Sequence, residues 1–287
     1  VSGGDVRVGT GTEDFIIGGY VTAVPGNSLG TVDFTNATSV TIAAARVELG
    51  VARVSSGVGA AANSATGTLL LSEAGTNTLT ANSIELSNAA SGANQNRESS
   101  LILGGADNTI NADTITVGSS KGRGLLDIVD GGSVTFQGTT GAGSLANLIA
   151  GNNPTTTGVQ SNGIIDLRGA ADVSGNFNEI NLGIHGSSSG RGIGRLFFDS
   201  GTILANTVTL ADPNGNGTST TPANTIGEIG MEGGLFRFGT LQKGDTAGPA
   251  IFNWSGGTIQ NLAGQDIVNI DVDIALTGTG PQVIEID

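Results

Sequence analysis

Few side chains in this sequence could carry out nucleophilic catalysis. The chain has no Cys and a single His, His185, which stands in a Gly-Ile-His-Gly string. A serine or cysteine nucleophile needs a neighbouring base, and a histidine usually supplies it. We interpret His185 as a surface residue beside a Gly/Ser-rich loop, and we assign no catalytic and no cofactor-binding residue.

Carboxylates are the second source of chemistry, because enzymes that cleave glycosidic bonds use two of them on either side of that bond. The acidic residues that could form such a set are Asp127 with Asp130, Asp166, Asp199, and Asp271 with Asp273. They are spread along the chain without a paired motif. We therefore predict that the protein is not an enzyme, and we keep a polysaccharide-acting β-helix enzyme as the alternative.

One short stretch has the oxygen spacing of a calcium-binding loop. Residues 212–217 read Asp-Pro-Asn-Gly-Asn-Gly, so the side-chain oxygens of Asp212, Asn214 and Asn216 recur at alternate positions. Calcium loops of this kind end in a Glu at the twelfth position, where this chain has Ala223. The stretch predicts either a calcium site at these three residues or an ordinary turn, and calcium is the one candidate cofactor.

The composition is acidic, rich in glycine and poor in large aromatic residues. The 287 residues carry a formal charge of −14 and include 49 glycines. Nucleic-acid binding depends on clustered Lys and Arg side chains, so we predict no nucleic-acid partner. The sequence also has no apolar run of the length that spans a bilayer, so we predict no membrane span in this chain.

An internal repeat organises most of the sequence. Residues 67–86 and 100–118 share an apolar triplet, a Gly-containing turn, a Thr-Leu or Thr-Ile step and a final short strand. Further copies cover 31–50, 163–183 and 195–210, and looser ones cover 125–136, 228–238 and 252–262. The apolar anchor positions lie roughly thirty residues apart, except for one doubled gap after Leu103, where 125–136 supplies an imperfect copy; they are Phe34, Leu71, Leu103, Leu167, Phe198, Ile229 and Trp254.

The repeat predicts an all-β fold, a single-stranded parallel β-helix (β-solenoid) with Gly/Asn/Ser-rich loops between coils. Each unit contains short β-favouring runs separated by turn residues, with no helical stripe. A lone unit cannot bury its apolar side chains, but stacked units form one continuous core. A sandwich would show hairpin turns, and a propeller would need longer strands. We expect one elongated domain over 1–287, a mature fragment of a longer parent.

Two segments resemble a known family. Residues 103–118 and 252–262 are similar to the repeats of autotransporter-passenger-like β-strand repeat proteins, which are secreted bacterial proteins of the Verrucomicrobia and Planctomycetes type and often carry a C-terminal sorting signal. The resemblance extends over most of the chain. It implies an exported protein, located outside a bacterium or on its surface, and it implies almost nothing about a ligand.

The function expected from this fold is structural or adhesive. A solenoid has two open ends whose backbone groups are ready to pair, and no amphipathic cap is evident in the sequence. We therefore predict end-to-end self-association into a fibre or surface layer, with surface polysaccharide as a further candidate partner. An adhesin stalk segment is an alternative, and so is ice binding, should the Thr-x-Thr steps at 78–80, 114–116 and 207–209 stack on one face.

Overall fold

A computed structural model confirms the predicted all-β solenoid. It describes residues 3–19, 28–52, 65–89, 98–154, 160–186, 191–212, 225–244, 248–265 and 268–286. Within these ranges the chain forms no helix, and its strands build two parallel sheets of 14 and 9 strands, here called sheet A and sheet B. Away from the two ends, most strands pair with one strand of the preceding coil and one of the following coil, as Leu126 does with Leu101 on one side and Ile165 on the other.

The strands fall into the two sheets in a regular alternation along the chain. Sheet A contains β1 Asp5–Val8, β2 Asp14–Ile17, β4 Ser39–Ala43, β5 Arg46–Ala52, β7 Thr76–Ala89, β9 Asp107–Ser120, β11 Ser133–Gln137, β12 Ala146–Asn153, β14 Asp172–His185, β16 Thr202–Asp212, β18 Leu235–Lys243, β20 Gly257–Asn261, β21 Asn269–Asp271 and β23 Gln282–Glu285. Sheet B contains β3 Ser28–Asp33, β6 Ala65–Leu70, β8 Glu98–Leu103, β10 Arg123–Ile128, β13 Gln160–Leu167, β15 Arg191–Phe198, β17 Thr225–Met231, β19 Ala250–Trp254 and β22 Ile274–Leu276.

One coil is a sheet B strand followed by the sheet A strand or strands that come next. Side chains alternate between a buried inner face and an outer face, as they must in a strand with one face on the core. The long strands bend outward midway, where Asn82, Asp113 and Asn178 are exposed. The sequence predicted two short strands on either side of this point, and the structure joins them into single strands such as β7.

The inner column of anchors follows the predicted repeat with two corrections. Leu103 pairs with Ile128, so the segment 125–136 is a full coil and not an imperfect one. Phe198 pairs with Met231, which in turn pairs with Trp254. The anchor in that coil is therefore Met231 and not Ile229, which faces the same core from the neighbouring column.

The end of each long sheet A stretch turns sharply toward sheet B, and we call this place the loop corner. At the loop corner one residue per coil has a left-handed backbone, with φ between 58° and 72°. Ladder pairs on either side of these residues show that they stack above one another along the solenoid. They are Gly18, Gly50, Ser87, Gly118, Gly151, Gly183 and Ala211.

A second column of glycines, at the start of sheet B, packs against this left-handed column. A Cβ on Gly163 would lie 2.5 Å from the backbone nitrogen of Gly151 and would overlap with the carbonyl oxygen of Val117. The same close approach recurs between Gly67 and Gly50. Backbone therefore packs directly on backbone at the loop corner.

The opposite reversal, from sheet B into sheet A, is here called the turn corner, and it uses different chemistry from coil to coil. Its inner column holds Val40, Asn77, Asn108, Val134 and Val173 in successive coils. Asn77 donates to Asn108 Oδ1 at 2.9 Å, and Asn108 accepts from Gly104 N at 3.0 Å. In the coils with Val the turn closes on backbone bonds instead, such as Ala37 N to Phe34 O at 2.8 Å.

Candidate binding cleft

A column of outward side chains on sheet B changes character halfway along the solenoid. The ladder aligns Ile102, Asp127, Asp166, Phe197 and Gly230 on successive strands. Asn253 follows in the next strand, β19. The apolar and acidic part of the column thus gives way to an aromatic ring, a position without a side chain, and an amide.

The side chain of Arg168 contacts residues of three successive coils. Its Nε donates to Asp166 Oδ1 at 2.8 Å, and its Nη1 lies 3.2 Å from Glu232 Oε1, two coils further on. Between these partners the guanidinium carbon lies 4.8 Å from the centre of the Phe197 ring, a cation–π distance. The two carboxylates raise the pKa of Arg168, so its charge is permanent and already neutralised by its neighbours.

A shallow cleft lies beside Arg168, where the Phe197 ring packs over Gly230, a residue without a side chain. The cleft has a volume of about 340 Å³ and opens to solvent. The lining residues are Arg168, Phe197, Gly230, Glu232, Asn253, Ser255 and Thr277. One aromatic edge, one amide, two hydroxyls and a carboxylate therefore converge on a space of the size that binds small ligands.

The carboxylates considered in the sequence are closer together than their spacing suggested. Asp127 and Asp166 are directly paired on neighbouring strands. Burial, together with the charges of Asp166 and Asp130, raises the pKa of Asp127. Burial would also raise the pKa of Asp166, but the hydrogen bonds from Arg168 outweigh it and hold that pKa below its ordinary value. Neighbouring carboxyl groups whose pKa values shift in opposite directions are a feature of acid–base sites. Here, however, Asp166 is engaged in an ion pair with Arg168.

The remaining acidic candidates lie elsewhere. Asp199 Oδ2 accepts a bond of 2.9 Å from Gly169 N, at the turn that carries Arg168. Asp271 and Asp273 line a separate cleft of about 280 Å³ with Lys243. The structure therefore brings Asp127 and Asp166 together and keeps Asp271 and Asp273 apart from them.

The calcium candidate is only partly within the described residues. Asp212 ends β16 and is half-buried, whereas Asn214 and Asn216 lie outside the described ranges. Among the residues that the structure describes, no group of three or more His, Asp or Glu side chains is arranged to hold a metal ion. The prediction of calcium at these three residues stays a prediction.

His185 is buried, and its interpretation as a surface residue is wrong. Its side chain has 1% exposure, and Nε2 has no hydrogen-bond partner within the part of the chain that the structure describes. It lies beside Asn153 on the next strand, whose amide donates to the Arg191 carbonyl at 3.1 Å. Burial lowers the pKa of His185, so the ring is neutral at pH 7. No nucleophile bonded to it is present among the described residues.

The Thr-x-Thr steps do not stack on one another. Thr80 pairs with Asn111, and Thr114 pairs with Ser83 and Asn147. The step at 207–209 pairs with Glu179 and Asn181 on one side. The condition set for ice binding, a repeated two-column threonine face, is therefore not met by these steps.

The described residues include no helical segment with the length and apolar character needed to cross a membrane. Comparisons of the chain with protein-family models, with curated proteins and with solved structures find no match.

Proposed function

We propose that the protein is a structural or adhesive β-solenoid of the bacterial cell surface or extracellular space, and that it associates end to end with further copies of itself. The observation that carries the proposal is the distribution of exposed apolar side chains. With the exception of Leu145, the large apolar residues exposed in the described chain belong to the first or last coils. They are Ile16, Leu29, Leu276, Val283, Ile284 and Ile286.

The first described coils present an apolar edge. Strands β1 and β2 start sheet A, and β3 starts sheet B, each with a neighbour on one side only among the described strands. Val6, Val8 and Phe15 pack on the core but remain half-exposed. An edge of this kind offers backbone donors and acceptors, together with inner apolar side chains, to another parallel strand.

The last described coils present the matching edge. Strands β22 and β23 end the two sheets, with Leu276 67% exposed and Ile284 58% exposed. Because all strands run parallel, the last coil of one copy has the same strand direction as the first coil of another. Stacking head to tail would extend both sheets and cover the side chains that continue the inner columns, such as Leu276 below Trp254 and Ile284 below Ile259. Such a heterologous contact does not close on itself, so it builds a filament.

Charge opposes this contact at low salt. Asp5 and Glu13 lie at the first edge, and Asp271, Asp273 and Glu285 lie at the last, in a chain of net charge −14. Raising the salt from about 0.01 M to about 1 M shortens the screening length from about 30 Å to about 3 Å. We expect association to increase with salt for this reason, which distinguishes it from an ion-paired interface.

Electron microscopy and sedimentation velocity over a concentration series test the proposal. We expect filaments whose abundance rises with protein concentration and with salt. Ile284→Lys places a charge on the last edge and should abolish them. Leu145→Lys is the matched control, because Leu145 is 40% exposed but lies away from both ends. Isolated rods of one length under all conditions would overturn self-association.

A parallel series with a calcium chelator addresses the loop at 212–217. Loss of filaments on chelation, with restoration by added calcium, would support a metal site at Asp212, Asn214 and Asn216. Filaments that persist in chelator would remove calcium from the assembly mechanism.

A further inference from the structure

The side of the solenoid carries a binding feature that end-to-end assembly does not use. We propose that the cleft at Gly230 binds an uncharged polysaccharide chain, with one or two sugar units seated between Phe197 and Asn253. The cleft lies on the outer face of sheet B, and only Thr277 adjoins the last strand of that sheet, so rods and filaments would both present the rest of the cleft. The proposal therefore stands or falls separately from self-association.

The charges around the cleft disfavour an anionic ligand. Arg168 is the cation that lines the cleft, and Asp166 and Glu232 already neutralise it. The nearby Arg195 is likewise paired with Glu228 at 2.8 Å. An incoming carboxylate or phosphate would have to displace these partners in a chain of net charge −14. The electrostatics therefore favour a ligand without negative charge.

The lining chemistry suits a ligand with many hydroxyl groups. Asn253, Ser255 and Thr277 place an amide and two hydroxyls in the cleft. The Asn253 amide nitrogen donates to Glu228 Oε1 at 3.1 Å and the Ser255 hydroxyl to the Met231 carbonyl at 3.3 Å, and the side-chain oxygens of both residues can still accept hydrogen bonds from a ligand. A sugar ring has hydroxyls that complement such groups, together with an apolar C–H face. The Phe197 ring lies over Gly230, where an added Cβ would come within 2.5 Å of it, and it provides an apolar wall for that face.

The shape of the cleft suits a polymer better than a small enclosed molecule. Its lining residues come from Arg168 to Thr277 and span five successive coils. Neighbouring strands lie about 4.8 Å apart, so the lining extends for roughly 20 Å along the solenoid axis. The cleft is shallow and open to solvent, which leaves room for a chain to continue beyond the seated units.

Affinity electrophoresis is the test, with soluble xylan, galactomannan and β-1,3-glucan as neutral probes and polygalacturonate as the anionic one. We expect at least one neutral probe to retard the protein, and we expect about 1 M salt to leave the retardation unchanged. Retardation by polygalacturonate alone, abolished by salt, would overturn the proposal. So would the absence of retardation by all three neutral probes.

Two variants locate the site. Asn253→Ala should weaken binding to the retarding probe about tenfold, the effect of losing a hydrogen bond or two. Gly230→Ser should weaken it as strongly, because the new Cβ would come within 2.5 Å of the Phe197 ring and displace that ring from the wall of the cleft. Asn111→Ala is the matched control, since Asn111 is an outward, half-buried asparagine on sheet A. Equal losses in Asn253→Ala and Asn111→Ala, or no loss in Asn253→Ala and Gly230→Ser, would overturn the assignment. Thermal melting of each variant shows that it is folded.

Discussion

The loop corner and the turn corner both reverse the chain once per coil, but with different tolerance for sequence change. At the loop corner five of the seven left-handed positions are glycine, and each of these packs against a glycine on sheet B, because the two backbones touch. At the turn corner the equivalent position is Val in some coils and Asn in others, and Gly201 occupies it after Val173. Backbone contact strongly favours glycine, whereas a corner filled by side chains accepts several residue types.

The largest expected effect comes from adding a single methyl group at the loop corner. In Gly163→Ala the new Cβ meets backbone atoms of Val117 and Gly151, which cannot rotate away as a side chain could. We expect a loss of about 3 kcal/mol or more in the free energy of unfolding, measured by urea denaturation, because overpacking forces the backbone to shift.

Gly141→Ala is the control for this variant. Gly141 has φ of 86°, yet an added Cβ would have no atom within 4 Å. Its loss should be about 1–2 kcal/mol, from backbone strain alone. Equal losses in the two variants would show that backbone contact does not distinguish the loop corner.

The turn corner should respond according to the coil that is changed. Asn108→Val imitates the neighbouring coils but leaves the amide of Asn77 and the Gly104 N–H without the partner they now have. The Asn77 amide keeps the Ser72 carbonyl as an acceptor, but the carbonyls of Gly104, Ala106 and Ser133 lose the donor that Asn108 provides. We expect a loss of about 2–4 kcal/mol, since each buried unpaired group costs about 1–3 kcal/mol. The double variant Asn77→Val/Asn108→Val should lose less than the sum of the two single variants, because the bond between them is counted twice in that sum. Strict additivity would contradict the proposed pairing.

The sequence predicted the solenoid well, because inward and outward side chains alternate along each strand and equivalent strands stack from coil to coil. Both features appear directly as a repeated pattern of apolar and polar residues. It located the anchors at Leu103, Leu167 and Phe198, which are indeed in one column. It misplaced the anchor at Ile229 because Ile229 and Met231 both point inward. Residue spacing alone cannot choose between them when loops of unequal length separate the coils.

The cleft was not predicted, because its members are far apart in the sequence. Arg168 and Glu232 meet only through the register of three successive coils. That register depends on the length of each intervening loop, which carries no apolar pattern. One signal was present: Gly230 interrupts a strand at an outward position, where glycine often marks a close approach.

In several coils the residue of the left-handed column is followed, two positions later, by a residue of a second column, and the residue type in this second column varies from coil to coil. This column holds Ala52, Ala89, Ser120, Asn153 and His185. The prediction that His185 lies on the surface followed from its Gly-rich neighbours. Its position in this inward column, which only the coil register reveals, accounts for its burial.

Acid should destabilise the protein through His185. Burial holds the pKa of His185 below its unfolded value, so the unfolded state binds more protons as the pH falls below about 6.5. Stability from this group is therefore complete above that pH and is lost below it. His185→Leu should reduce the loss of unfolding free energy between pH 7 and pH 5, measured by urea denaturation at each pH. An unchanged pH dependence would show that the ring is protonated without cost.

The smallest effect should come from the two coils that depart from glycine in the left-handed column. Ala211 has φ of 58° and Ser87 has φ of 62°. Ala211→Gly removes backbone strain but gives the unfolded chain more freedom, so we expect a gain of only a few tenths of a kcal/mol. Ser87→Gly also loses the hydroxyl that accepts a bond of 3.1 Å from Arg123 N, and it should be neutral or destabilising. If Ser87→Gly stabilised the protein more than Ala211→Gly, backbone strain would outweigh the serine hydrogen bond, and the loop corner would depend on glycine alone.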